Sequence, residues 1–316
     1  MKTIRIPSLI IAAAAASMLV FGACSTDTTT AEGSGDTITV DTADGAVQVP
    51  ANPQRVVALD NTSFETLKAF GVEPVALPKP IMPYEGFEEW IDNEQILDIG
   101  THREPNLELV SEAAPDLIIG GYRFQEYTDE LGRIAPTIDI SPTDEGYVES
   151  LKAQTSALGD IFGKQEQASR IIADLDAASS DAAARTNGET VFLANVSGGK
   201  IDNGAQRIGR LLEPLTLEDV FAGEAGDVHG DSGLAPETVA QANPDWAIVL
   251  DRDAAAGEPG AAPAKVVFDA QEAFANTTFT TENQIVYLDP FFYTRESIQA
   301  YTQAFSSISD AFANAS

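Results

Sequence analysis

The chain has 316 residues, with 18 Lys and Arg against 49 Asp and Glu, and a net charge of −31. So acidic a surface repels nucleic acid and anionic lipid, which argues against both as ligands. With one cysteine, Cys24, the chain has no internal disulfide.

Residues 1–23 read as an export signal: two basic residues (Lys2, Arg5), an alanine-rich apolar run to Phe21, then small Gly22-Ala23 directly before Cys24. This arrangement resembles the lipobox of bacterial lipoproteins, in which the cysteine is diacylated and becomes the new N-terminus. Phe21 stands where leucine is usual. Removing the leader leaves 16 basic and 49 acidic residues, a net of −33. Residues 24–36 are a Thr/Ser/Gly/Asp tether with nothing to pack. No later segment supplies the ~18 apolar residues needed to cross a bilayer. The expected location is extracytoplasmic, lipid-anchored to the bacterial cell membrane.

From Thr37 to Val49 the pattern predicts a hairpin with Asp44-Gly45 at its turn. Strand Arg55–Asp60, helix Ser63–Phe70 closed by Gly71, and strands Pro74–Leu77, Ile96–Ile99 and Thr137–Ile140 fill an N-terminal lobe, 37–146. Residues 147–187 are helical, with apolar positions Ala168, Ile171, Ile172, Leu175 and Ala178 at helical spacing. A C-terminal lobe, 188–316, contains strands Thr190–Val196 and Gln284–Leu288, helices Gln206–Leu212 and Pro263–Ala275, and a terminal helix Ser297–Ala313. The expected fold is α/β: two Rossmann-like lobes with parallel-type sheets, joined by a single long helix, with a ligand cleft between them.

Two stretches 129 positions apart repeat one unit, Leu107–Arg123 (LELVSEAAPDLIIGGYR) and Pro236–Arg252 (PETVAQANPDWAIVLDR). Each is a short amphipathic helix stopped near a proline, then an apolar strand ending at arginine. Runs such as Leu117-Ile118-Ile119 and Ala247-Ile248-Val249-Leu250 suit strands buried on both faces of a parallel sheet. Open α/β sheets bind ligands beyond the carboxyl ends of their strands, so Arg123 and Arg252 stand where an anionic guest would be held.

Arg55–Asp60, the Glu65 helix ending at Gly71-Val72, Pro105-Asn106-Leu107-Glu108 and both Pro-Asp pairs resemble the substrate-binding lipoproteins of iron-chelate/cobalamin ABC importers. Ile134-Ala135-Pro136-Thr137, Arg207-Ile208-Gly209, His229-Gly230, Asp251-Arg252 and Tyr287-Leu288-Asp289-Pro290 resemble its ferric catecholate-siderophore subfamily. The resemblance implies a monomeric binding protein with no permanent cofactor. Its transported ligand would be a ferric siderophore, passed to an ABC permease. It makes Arg123, Arg207 and Arg252 a positive triad around the complex, and guanidinium suits phenolate oxygens. It also makes His229 and Tyr293 iron ligands, for a tetradentate siderophore only, since a hexadentate one fills six positions itself. Here Phe292-Tyr293-Thr294-Arg295 replaces the family's Trp-Tyr and the glycine-rich stretch after it. Glu65 and Glu213 become the permease-docking carboxylates. His102, before Arg103, reads as a surface or capping residue.

Two other readings stand beside this one. Haem or another iron chelate would also suit histidine and tyrosine. An extracellular serine hydrolase would use Ser232, in Gly230-Asp231-Ser232-Gly233, although the α/β pattern lacks the barrel such a site resembles. Val196-Ser197-Gly198-Gly199-Lys200 does not have the spacing of a phosphate loop.

Overall fold

The computed structural model describes residues 36–42, 45–82, 85–101, 104–224, 232–257 and 259–315. They fall in one compact unit, Gly35–Ser316. The export signal, Cys24, Asp44, His102 and His229 lie outside the described residues.

Strands β1 (Thr37–Thr42) and β2 (Gly45–Pro50) form the expected antiparallel hairpin, which packs Val40 and Val49 onto the first lobe. That lobe is built on β3 (Val56–Ala58), β4 (Ala76–Leu77), β5 (Leu97–Asp98), β6 (Leu117–Ile119) and β7 (Thr137–Ile138), in the order β5-β4-β3-β6-β7. Every pairing among them is parallel. The second lobe contains β8 (Glu189–Ser197), β9 (Lys200–Asn203), β10 (Leu217–Asp219), β11 (Trp246–Asp251) and β12 (Ile285–Tyr287). Its parallel order is β10-β8-β11-β12, with β9 folded back antiparallel on β8. All residues of β6 and β11 are buried, as the unbroken apolar runs predict.

The repeated unit has a structural cause. Ala114 and Asn243 both adopt left-handed backbone, φ 45° and 47°, which ends the preceding helix. Two residues later, the Asp116 carboxylate accepts the N–H groups of Gln54 and Arg55 at 2.8 and 2.9 Å. Asp245 accepts the N–H of Thr190 at 2.8 Å and its hydroxyl at 2.7 Å. In each lobe the aspartate anchors the start of the neighbouring central strand and so fixes the sheet register.

Between the sheets run the helices Tyr147–Ile161 and Gln165–Ala183. The first places Tyr147, Val148 and Leu151 in the second lobe's core, but Leu158 and Ile161 in the first lobe's core. The second starts from Ala168 in the first core and reaches Leu175, Ala178 and Ala182 in the second, making the final crossing. The terminal helix Ile298–Ala315 packs on it. At the far end of β11 from Arg252, Trp246 stacks on Phe312 of that helix, with centroids 3.8 Å apart.

Polar contacts also join the lobes. Arg295 donates to Glu65 at 2.6 Å, the Ser297 hydroxyl bonds the other Glu65 oxygen, and Asn61 donates to the Thr294 carbonyl at 3.1 Å. Among the described residues, no helix is long and apolar enough to cross a membrane.

Candidate functional site

In both parallel sheets the strand order reverses near the centre, between β3 and β6 and between β8 and β11. Such switch points open a crevice at the carboxyl ends of the strands. Arg252 follows β11 directly and is held from both sides. The Asp251 carboxylate accepts the N–H groups of Ala254 (3.0 Å) and Ala264 (2.7 Å). Asp253 accepts those of Gly198 (2.8 Å) and Gly199 (3.0 Å). These glycines, at φ 59° and 70°, are the two-residue turn between β8 and β9. The segment that superficially suggests a phosphate loop thus binds an anion of the chain itself. Between its anchored neighbours, Arg252 donates to the Ser197 hydroxyl at 3.0 Å, while its buried Nε has no hydrogen-bond partner.

Arg207 lies on the short helix Ala205–Ile208, set by Asn203, whose side-chain oxygen accepts the Ala205 N–H at 2.9 Å. Its guanidinium sits over the Tyr293 ring at 4.9 Å, and Arg252 approaches the same ring at 5.8 Å. Beside this stack, a cavity of about 910 Å³ in the second lobe is lined by Arg207, Arg252, Lys200, Asp202 and Gln271, with Val266 at its rim. Three cations there face one carboxylate.

In the first lobe, the chain leaves β6 through Gly120-Gly121. A side chain on Gly121 (φ 154°) would come within 2.9 Å of the Asp60 Cβ, so the glycine lets Tyr122-Arg123 cross close over the end of β3. Asp60 is fully buried there and takes hydrogen bonds from Thr62 and Gln154. Burial pushes its carboxyl up to about 6, against those bonds. Arg123 donates to Asn61 at 3.4 Å and lies over the Tyr122 ring at 4.9 Å.

Arg123 faces a cavity of about 550 Å³ between the lobes, completed from the second lobe by Gln206, Arg207, Arg210, Tyr293 and Glu296. Gln206 and Arg207 line both cavities. The proposed triad therefore spans two adjoining spaces: Arg123 in one, Arg252 in the other, and Arg207 at the shared wall. Arg210 pairs with Asp144 at 2.9 Å and stacks on Tyr147 at 4.4 Å. The Glu296 carboxyl lies among the arginines, and burial raises its pKa against the pull of Arg210, Arg123 and Arg207. Tyr122 and Val266, the exposed large hydrophobic residues among those described, each line one cavity and offer apolar contact at its mouth.

Other expected site residues fall elsewhere. His229 lies outside the described residues, so only Tyr293 of the expected iron-ligand pair is located. Among the described residues, no group of three or more His, Cys, Asp or Glu is placed to hold a metal ion. Ser232 hydrogen-bonds through its hydroxyl to Asp202. Both expected docking glutamates are engaged within the chain. Glu65 pairs with Arg295, and Glu213 accepts the N–H groups of Tyr147 (3.1 Å) and Val148 (3.3 Å) at the start of their helix. Sequence reasoning missed Arg210, Glu296 and Tyr122 as cleft residues. Arg210, three residues after Arg207 and thus on the same helical side, was the one with a signal.

A family model described as periplasmic binding protein matches residues 56–291. The petrobactin-binding protein YclQ of Bacillus subtilis is 28% identical over 311 residues, covering 92% of this chain and 94% of its own. Its crystal structure superposes with a TM-score of 0.77 at 26% identity, over 88% of this chain and 99% of that one. The ferric-anguibactin-binding protein FatB of Vibrio anguillarum is 28% identical over 218 residues, 66% of this chain and 67% of its own. The periplasmic catecholate-siderophore binding protein VctP of Vibrio cholerae superposes with a TM-score of 0.76 at 25% identity, over 86% and 99% of the two chains.

Proposed function

The chain belongs to the periplasmic binding protein family, and from that premise we propose that it captures a ferric siderophore of catecholate type outside the cell and delivers it to an ABC permease for iron uptake. One observation carries the reading: Arg123 from the first lobe and Arg207, Arg210 and Arg252 from the second converge on adjoining cavities in an otherwise strongly acidic protein. Guanidinium groups offer rigid paired donors to phenolate oxygens, and a basic pocket is the one place where an anion can approach such a surface. The names of YclQ, FatB and VctP support the ligand class. The ferric complex is cargo and no resident cofactor is involved. Ser232 is a structural hydroxyl in this reading, held by Asp202, and the protein is a receptor, not an enzyme.

Several parts of the proposal rest on the sequence. Cys24 carries the lipid that tethers a monomer to the membrane. With a tetradentate siderophore, His229 and Tyr293 fill the two remaining iron positions, phenolate being a suitable donor for a hard ferric ion. Glu65 and Glu213 mark the permease-facing side. Because both carboxylates are also engaged within the chain, a transport assay of their variants needs a stability measurement beside it.

The test is a binding panel on the soluble chain lacking residues 1–24, with ferric catecholates, ferric hydroxamates, haem and cobalamin, read by intrinsic fluorescence and calorimetry. Preference for the ferric catecholates is the expected result. Preference for haem or a hydroxamate complex would overturn the catecholate assignment.

A further inference from the structure

Glu296 occupies the centre of the arginine cluster. It follows the short helix Phe292–Arg295 in left-handed backbone, φ 45°, an unfavourable conformation for a residue with a side chain. The Tyr147 hydroxyl donates to its carbonyl at 3.0 Å and fixes it there. The side chain is 12% exposed, and its two oxygens are shared between the lobes: Oε2 lies 3.9 Å from Arg123, and Oε1 lies 3.7 Å from Arg210. Arg207 adds attraction from the shared wall, while Asp144 opposes it. In the interlobe cavity, Arg123, Arg207 and Arg210 are therefore faced by Glu296, Asp139 and Asp144. Three positive groups meet three negative ones. Arginines alone would select for the highest negative charge, and this cavity does not present arginines alone.

We propose that Glu296 is a built-in counter-anion that sets the net charge of the ferric complex the cleft accepts, disfavouring trianions relative to complexes of lower charge. The inference rests on the siderophore reading and deepens it by naming the charge class of the cargo. The interaction of one fixed charge with a guest scales with the charge of the guest. The penalty that Glu296 imposes on a trianion is therefore three times, in logarithm, the penalty on a monoanion.

Two catecholate complexes separate these cases. Ferric iron with six phenolate oxygens has charge −3, and with four it has charge −1. Their dissociation constants would be measured for the wild type, Glu296→Gln and Glu296→Gly, all as the soluble chain lacking residues 1–24. The glycine variant also relieves the left-handed strain, so it remains informative if the glutamine variant folds poorly. Both variants should bind the tris-catecholate about tenfold more tightly, and the bis-catecholate only about twofold more tightly. Equal changes for the two complexes, or a loss for both, would overturn the proposal and make Glu296 a clamp between Arg123 and Arg210. A wild type that binds neither complex would instead overturn the siderophore reading, and this inference with it.

Discussion

Replacing Arg207 by alanine tests the site at the one arginine, among the described residues, that lines both cavities. The side chain is half-buried and stacks on the Tyr293 ring within the chain itself. What the variant loses is its hydrogen bonding to the ligand. A hydrogen bond to a charged group contributes about 1.5–3 kcal/mol, so ferric catecholate affinity should fall by roughly ten- to a hundredfold. Arg252→Ala should fall in the same range, because its guanidinium is held toward the adjoining cavity by Ser197 and by the anchoring of Asp251 and Asp253. The assay is calorimetric titration with a ferric tris-catecholate, beside thermal unfolding, which should shift by no more than about 2 °C. Arg170→Ala, on the exposed face of the helix Gln165–Ala183, removes the same charge from a residue that lines neither cavity and should leave affinity unchanged. If Arg207→Ala and Arg252→Ala both bind like the wild type, the cleft assignment is wrong.

Other perturbations probe separate links. His229→Ala should weaken a tetradentate ferric complex more than a hexadentate one and reduce its charge-transfer absorption shift, with Tyr293→Phe acting in the same direction; equal losses for both ligand types would make the imidazole an ordinary hydrogen-bond donor. Glu65→Gln should destabilise the fold by about 1–2 kcal/mol in denaturant unfolding, since the amide keeps one acceptor oxygen but loses the negative charge facing Arg295 and the second oxygen, so that Arg295 and Ser297 no longer each have a carboxylate acceptor; Glu65→Arg should abolish uptake at unchanged ligand affinity, and normal uptake by that variant would remove Glu65 from the docking face. Burial raises the Asp60 carboxyl to about 6, so the folded chain keeps this proton to higher pH than the unfolded chain. Its contribution to stability is then fully present below about pH 4 and is lost as pH rises to about 6, by up to roughly 3 kcal/mol; unfolding of Asp60→Asn across that window should lack this component, and an unchanged pH profile would refute the assignment.

Much of the fold was legible because parallel strands covered on both faces lose the polar alternation of exposed strands. Leu117–Ile119 and residues 246–250 stand out as unbroken apolar runs, and the aspartate of the Pro-Asp pair before each proves to be the anchor of the neighbouring strand. Arg123 and Arg252 were legible for the same reason, as the first cations beyond those runs. Strands β9 and β10 were not. Lys200–Asn203 and Leu217–Asp219 are short, polar stretches whose pairing with β8 depends on the glycine turn and on the sheet already present. Glu296 was hidden because nothing local distinguishes it from a solvated residue at a helix end. Its place among the arginines comes from left-handed backbone and from Tyr147, 149 positions away in sequence.

The way the lobes are joined bears on how affinity arises. Helices Tyr147–Ile161 and Gln165–Ala183 each contribute side chains to both cores, and Asn61–Thr294 and Glu65–Arg295 tie the lobes along one side. Packed interiors deform poorly, so a wide hinge motion would have to disrupt two cores together. The arginines are fixed in turn: Arg252 between anchored aspartates, Arg207 on Tyr293, and Arg123 between Asn61 and Glu296. The ligand therefore meets charges already in position. In such a site, selectivity depends more on the sum of fixed charges than on how far the lobes travel. The Glu296 carboxylate among Arg123, Arg207 and Arg210 then outweighs any one rim contact, and the salt dependence of affinity should track the charge of the ferric complex rather than its size.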